Sequence, residues 1–90
     1  MSIKVHIHPS LRHISNDREI VEVDGSNVGE CFKKLITEYP ELEEWLFEEK
    51  GKVSKYIDIF VNDESAHPEE LAKPVKDGDE IYILMQIAGG

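Results

Sequence analysis

Three kinds of group in this 90-residue chain could do chemistry: a glycine pair ending in a carboxylate, four histidines, and one cysteine. The glycine pair is the most informative. The sequence ends Ala88-Gly89-Gly90, directly after the hydrophobic run Ile81-Tyr82-Ile83-Leu84-Met85-Gln86-Ile87. Glycine has no Cβ and reaches backbone conformations closed to other residues, so a diglycine can thread a narrow channel in another protein's active site. The Gly90 carboxylate at its tip is a group that an enzyme can activate. The side chains offer less. His6 and His8 lie two apart on one predicted strand and would need His13 or His67 to complete a metal site; solvent-facing strand histidines are the simpler reading. Cys31 falls on the apolar stripe of a predicted helix and reads as a core thiol rather than a nucleophile. The adjacent carboxylates Glu43-Glu44, Glu48-Glu49 and Glu69-Glu70 point apart on a helix and read as solvated faces.

A chain this short makes one domain, expected over 1-90, with 87-90 as a flexible tail. It buries only about 60–65% of the surface its unfolded form exposes, leaving one thin core and no room for a deep private active site. The content of 40% hydrophobic and 32% charged residues suits an ordinary globular domain. Ten Lys and Arg against 19 Asp and Glu give a formal charge of −9. That field repels phosphate backbones, so nucleic acid is not expected as a partner, whereas a basic protein surface is. A single cysteine permits no intramolecular disulfide framework. No apolar run suits a signal peptide or approaches the roughly 20 residues of a membrane span, so no membrane partner is expected and the cytoplasm is the expected location.

The elements that must position these groups follow from periodicity. Ile3, Val5 and Ile7 alternate with Lys4, His6 and His8, the pattern of a strand buried on one face. Pro9 ends it, and residues Glu19 to Val23 form a second strand, pairing with the first through a loop of roughly ten residues. Asn27 is a good N-cap, with Ser26 the competing one and Glu30 placed for a capping box. Val28, Cys31, Phe32, Leu35, Ile36 and Tyr39 then make one apolar helical stripe that Pro40 stops. A shorter amphipathic segment, Glu41 to Lys50, groups Leu42, Trp45 and Leu46, with Trp45 expected to anchor it on the core. Lys55 to Val61 is a third strand closed by Asn62-Asp63, and Glu64 to Lys76 is predicted as loop with one helical turn near Glu69-Glu70-Leu71. Asp77-Gly78-Asp79 is a tight turn launching the last strand, Glu80 to Gln86.

This order predicts an α+β domain: a mixed four- to five-stranded sheet with one main helix packed across one face. The first and last strands are expected to be central and parallel, since the chain between them is long enough for a crossover. That is the β-grasp, or ubiquitin-like, arrangement.

On four pieces the sequence resembles the MoaD/ThiS sulfur-carrier family. They are the opening strand running into Pro9-Ser10-Leu11-Arg12, the helix start at Val28-Gly29-Glu30, the strand and turn Ile59-Phe60-Val61-Asn62-Asp63, and Pro74-Val75-Lys76-Asp77-Gly78-Asp79-Glu80-Ile81 leading to Ile87-Ala88-Gly89-Gly90. Length and the Tyr39 to Gly51 insertion look more like MoaD-like or CysO-like members, the latter carriers of a cysteine-synthesis pathway, than the shorter ThiS proteins. The ending Met85-Gln86-Ile87 stands where many of those tails have proline, and is closer to a ThiS ending.

The resemblance implies that this chain is not an enzyme and binds no cofactor. A partner adenylating enzyme, using ATP and Mg, would activate the carboxylate of Gly90, with Gly89 beside it. A sulfur donor would convert it to a thiocarboxylate, and a downstream synthase would accept the sulfur in molybdopterin, cysteine or thiazole synthesis. In the molybdopterin case the chain would be the small subunit of a two-protein synthase. The same resemblance places the partner-binding surface at Phe60, Tyr82 and Leu84 on the sheet, with Ile87 and Ala88 leading into the tail. With Gln86 as the last anchored residue, the four residues beyond it reach about 13–14 Å. A ubiquitin-like modifier joined to lysines through Gly90 is the alternative, and a passive binding module using its acidic face is a third.

Overall fold

The structure, a computed structural model, describes residues 2–48 and 51–85. Its strands are β1 (Ser2–His6), β2 (Ile20–Asp24), β3 (Ile57–Val61), β4 (Glu64–Ser65) and β5 (Glu80–Met85). Its α-helices are α1 (Val28–Glu38) and the single-turn α2 (Glu43–Leu46), with 3-10 turns at Pro9–Leu11, Pro40–Leu42 and Glu70–Ala72. The sheet order is β2-β1-β5-β3-β4. β1 and β5 run parallel at the centre, and the other neighbours are antiparallel.

Alternation decides which face is buried. Ile3, Val5, Val21, Val23, Ile57, Ile59, Val61, Ile81 and Ile83 all turn inward, and α1 lays Val28, Cys31, Phe32 and Leu35 across them. Asn27 caps α1 as expected, its Oδ1 accepting the Glu30 amide at 2.8 Å. The Glu30 carboxylate, however, reaches back one residue further, accepting both the backbone N–H and the hydroxyl of Ser26 at 2.8 Å. The amide of Val28, which an isolated helix would leave unpaired, donates to Lys73 O at 3.0 Å. Helix and sheet approach closely at Gly25, where an added Cβ would come within 2.9 Å of Cys31 Sγ.

Four expectations need correction. The β1–β2 connection spans residues 7–19 rather than about ten, because Pro9–Leu11 forms a 3-10 turn that buries Leu11. β3 begins at Ile57 instead of Lys55, since Ile57 is the first residue with a register partner, Met85. β4 lies inside the predicted loop: beyond the Asn62-Asp63 turn, Ser65 pairs with Phe60 and Glu64 with Val61. Finally, the segment after Pro40 is helical only to Leu46, because Phe47 turns extended to bridge Val53. Within that turn Leu42 and Leu46, four apart, share the inward side, and Trp45 falls beside them and stays 42% exposed. Trp45 therefore does not anchor the segment. Leu42 and Leu46 do, helped by Phe47, whose ring meets Phe32 edge-on at 6.1 Å.

Candidate docking face and C-terminal site

The face of the sheet away from α1 is where the predicted surface residues meet. The registers Ile20↔His6, His6↔Tyr82, Phe60↔Tyr82 and Phe60↔Ser65 place these five residues in one row across all five strands. Phe60 and Tyr82 are thus direct cross-strand neighbours, both half-buried. Leu84 follows two residues along β5, opposite Asp58, and is 46% exposed. Ile87, Ala88, Gly89 and Gly90 lie outside the described residues.

Tyr82 is held from its other side by a contact the sequence did not suggest. The His6 ring stacks on it with centroids 4.1 Å apart and planes 15° from parallel. His6 Nε2 also meets Glu80 Oε1 at 2.5 Å, and the Tyr82 hydroxyl donates to the same oxygen at 3.4 Å. The His6 hydrogen bond holds the Glu80 carboxyl below its ordinary value, while partial desolvation, reinforced by the Glu80 charge, pushes the Tyr82 phenol up. His6 is therefore part of the sheet face. Among the described residues no group of three or more His, Cys, Asp or Glu is placed to hold a metal.

The turn that launches β5 is wired to both neighbouring strands. Asp77 Oδ1 accepts the Ser2 amide at 2.7 Å, and the Gly78 amide donates to Ser2 O at 3.0 Å, which fixes the start of β1. Gly78 takes φ +90°, a left-handed conformation that only glycine adopts without strain. Asp79 accepts the Lys76 amide at 2.9 Å and Asn62 Nδ2 at 3.1 Å, and Asn62 Oδ1 accepts the Glu80 amide at 3.1 Å. The Lys76 hydrogen bond, then that from Asn62, holds the Asp79 carboxyl below its ordinary value. Asp77-Gly78-Asp79-Glu80 is thus a clasp joining β1 and β3 to the first residue of β5. By contrast Cys31, fully buried, has its thiol pushed up to about 11 by desolvation, which makes it a poor nucleophile.

With this geometry in hand, the chain matches the ThiS family over residues 5–90. It belongs to that family. The sulfur carrier protein CysO of Mycobacterium tuberculosis is 31% identical to it over 93 residues, covering 100% of both chains. Small archaeal modifier protein 1 of Haloferax volcanii is 29% identical over 82 residues, covering 89% of this chain and 91% of that protein. In three dimensions a chain of the Amycolatopsis orientalis BexX/CysO complex superposes with a TM-score of 0.89 at 31% identity, covering 98% of this chain and 99% of that one. The ubiquitin-like β-grasp fold and the sulfur-carrier resemblance both hold. Among the described residues no helix is long and apolar enough to cross a membrane.

Proposed function

We propose that this ThiS-family chain is a sulfur carrier whose reacting group is the Gly90 carboxylate, acting in the cytoplasm as a protein co-substrate. A partner enzyme with ATP and Mg²⁺ joins that carboxylate to AMP, and pyrophosphate leaves. A hydrosulfide-equivalent donor then adds to the acyl carbon. The C–S bond forms, the C–O bond to AMP breaks, and AMP departs with the electron pair, leaving a thiocarboxylate. Its sulfur is soft and nucleophilic, suited to delivery to an electrophilic carbon without release of free sulfide. The chain contributes presentation, and the partners contribute catalysis.

The observation that carries this reading is a family match that runs through Gly90, together with end-to-end likeness to a sulfur carrier. The outer sheet face supports it: Phe60 of β3 and Tyr82 and Leu84 of β5 offer apolar side chains on the strand that leads in sequence to the tail and on its neighbour, and Ile87 and Ala88 are assigned to the same partner contact. Cysteine or molybdopterin synthesis is the favoured destination of the sulfur, with thiazole synthesis third; in the molybdopterin route the chain would serve as a synthase small subunit. The test is intact-mass spectrometry after incubation with the cognate activating enzyme, ATP and a sulfur donor. The expected product carries one sulfur in place of one oxygen at Gly90. A terminus that remains plain acid under conditions where the enzyme turns over ATP overturns the reading.

A second reading, attachment to lysines as a modifier, is supported by the likeness to small archaeal modifier protein 1. It predicts higher-mass conjugates that disappear when Gly90 is deleted, and the carrier reading predicts none.

A further inference from the structure

On the far side of the molecule from the outer sheet face, α1 and the segment containing α2 enclose a groove of about 870 Å³. Its apolar floor is Ile36 of α1 and Phe47 just after α2, both half-buried against the core. Among the described residues its rim carries four carboxylates, Glu30, Glu43, Glu44 and Glu48, against one ammonium, Lys33. Two of the four are engaged locally, Glu30 by Ser26 and Glu48 by the Lys55 amide at 2.9 Å, and neither contact neutralises the charge. The Glu43 and Glu44 carboxylates have no hydrogen-bond or ion-pair partner among the described residues.

Shape and charge together narrow the occupant. Lining residues on the α1 side run from Asn27 to Thr37, which at the helical rise is a length of about 15 Å. A trough that long suits a stretch of polypeptide better than a compact metabolite. The surplus of anions on the rim, within a chain of net charge −9, repels a second copy of this chain, nucleic acid and anionic lipid. What it complements is a cationic segment that also has apolar side chains to set on Ile36 and Phe47. We propose that this groove docks a basic, amphipathic segment of a partner protein. Because the groove and the outer sheet face lie on opposite sides of the domain, one partner can hold the carrier here while another grips the face beside the tail. The proposal is independent of the acyl-end chemistry.

The test uses the full chain, ¹⁵N-labelled, titrated with a synthetic Lys/Leu peptide patterned for one apolar helical face and with a scrambled isomer of the same composition. The patterned peptide should bind about tenfold more tightly than the scrambled one, the equivalent of burying one modest apolar side chain. Amide shifts should fall at Gly29, Thr37 and Phe47 and leave Tyr82 and Leu84 unmoved. Glu43→Lys/Glu44→Lys, or Glu43→Gln/Glu44→Gln should the charge reversal unfold the domain, should remove most of the affinity. Equal binding of the two peptides, absence of saturable binding, shifts on the outer sheet face, or undiminished binding to the Glu43/Glu44 variants would each overturn the proposal. Since binding is read on the carrier alone, such a failure leaves thiocarboxylate formation at Gly90 as a separate question.

Discussion

Truncating Leu84 to alanine should weaken activation of the tail by an amount that its exposure sets. Fully burying a leucine side chain is worth roughly 1.5–3 kcal/mol, and Leu84 has 46% of its surface still open for a partner to cover. Docking can therefore recover about 0.7–1.4 kcal/mol from this side chain, or about three- to tenfold in affinity. The assay is ATP–pyrophosphate exchange by the cognate activating enzyme as carrier concentration is varied. Leu84→Ala should lower kcat/KM by that factor with kcat nearly unchanged, because the contact is present in ground and transition states alike. Leu84→Asp should lose more, since a carboxylate must then be desolvated in the interface. It also costs stability, because residue 84 stands opposite Asp58 and like charges across strands repel by about 0.2–1 kcal/mol. A fall in Tm of up to about 8 °C is expected for Leu84→Asp at this chain length, and little for Leu84→Ala. Parental kcat/KM in both variants would refute a docking role for this face, as would losses that track Tm alone.

Three further outcomes follow from the core and the clasp. Phe32→Ala, at a fully buried position beneath the sheet, should cost about 3–5 kcal/mol in urea unfolding, and a cost below about 1 kcal/mol would contradict the packing described. Cys31 should resist iodoacetamide at pH 8 in the folded protein, since its thiol is both buried and pushed up to about 11, and react once urea unfolds the chain; rapid labelling of the native state would place it elsewhere. Asp79 and Glu80 titrate below their ordinary values of 3.8 and 4.5, so each adds stability that is in place above those values and is lost as pH falls through the lowered folded-state values. Acid-unfolding curves of Asp79→Asn and Glu80→Gln should accordingly be flatter below pH 4.5 than that of the parent, and superimposable curves would remove the clasp's electrostatic contribution.

The strands were legible because each buried strand repeats an apolar residue at every second position, and α1 because its cap, stripe and terminating proline agree. The failures have local causes. β4 is two residues long, too short for any period to register, and exists because the Asn62-Asp63 turn brings Ser65 beside Phe60. α2 looked longer because the acidic run after Pro40 has good helix formers, yet Phe47 gains more by meeting Phe32 and bridging Val53. Trp45 is large enough to suggest a core anchor, but Leu42 and Leu46 already occupy the inward side. Phe60, Tyr82 and Leu84 share one face because each alternates with the buried Ile59, Val61, Ile81 and Ile83 of its strand. The His6–Tyr82–Glu80 contact does not follow from alternation, because it joins residues 74 apart in sequence and depends on the parallel register Lys4↔Glu80.

That register gives a physical reason for the position of the Asp-Gly-Asp-Glu turn. Under the proposed function, a tail that places one carboxylate in another protein's active site works only if its root is fixed, since a misplacement of about 1 Å can cost on the order of a hundredfold in rate. β5 is the strand that precedes the tail in sequence, and it is paired with β1 over residues 80–82 and with β3 over residues 81–85. The clasp ties the same two strands to its first residue, through Ser2 on one side and Asn62 on the other. Edge strands open most readily, so a tail leaving β2 or β4 would inherit their fluctuations. Following a central strand, it draws on the stability of the whole domain, and under the proposed function Asp77, Gly78 and Asp79 before β5, with Glu80 at its start, contribute to presentation without touching the reacting atoms.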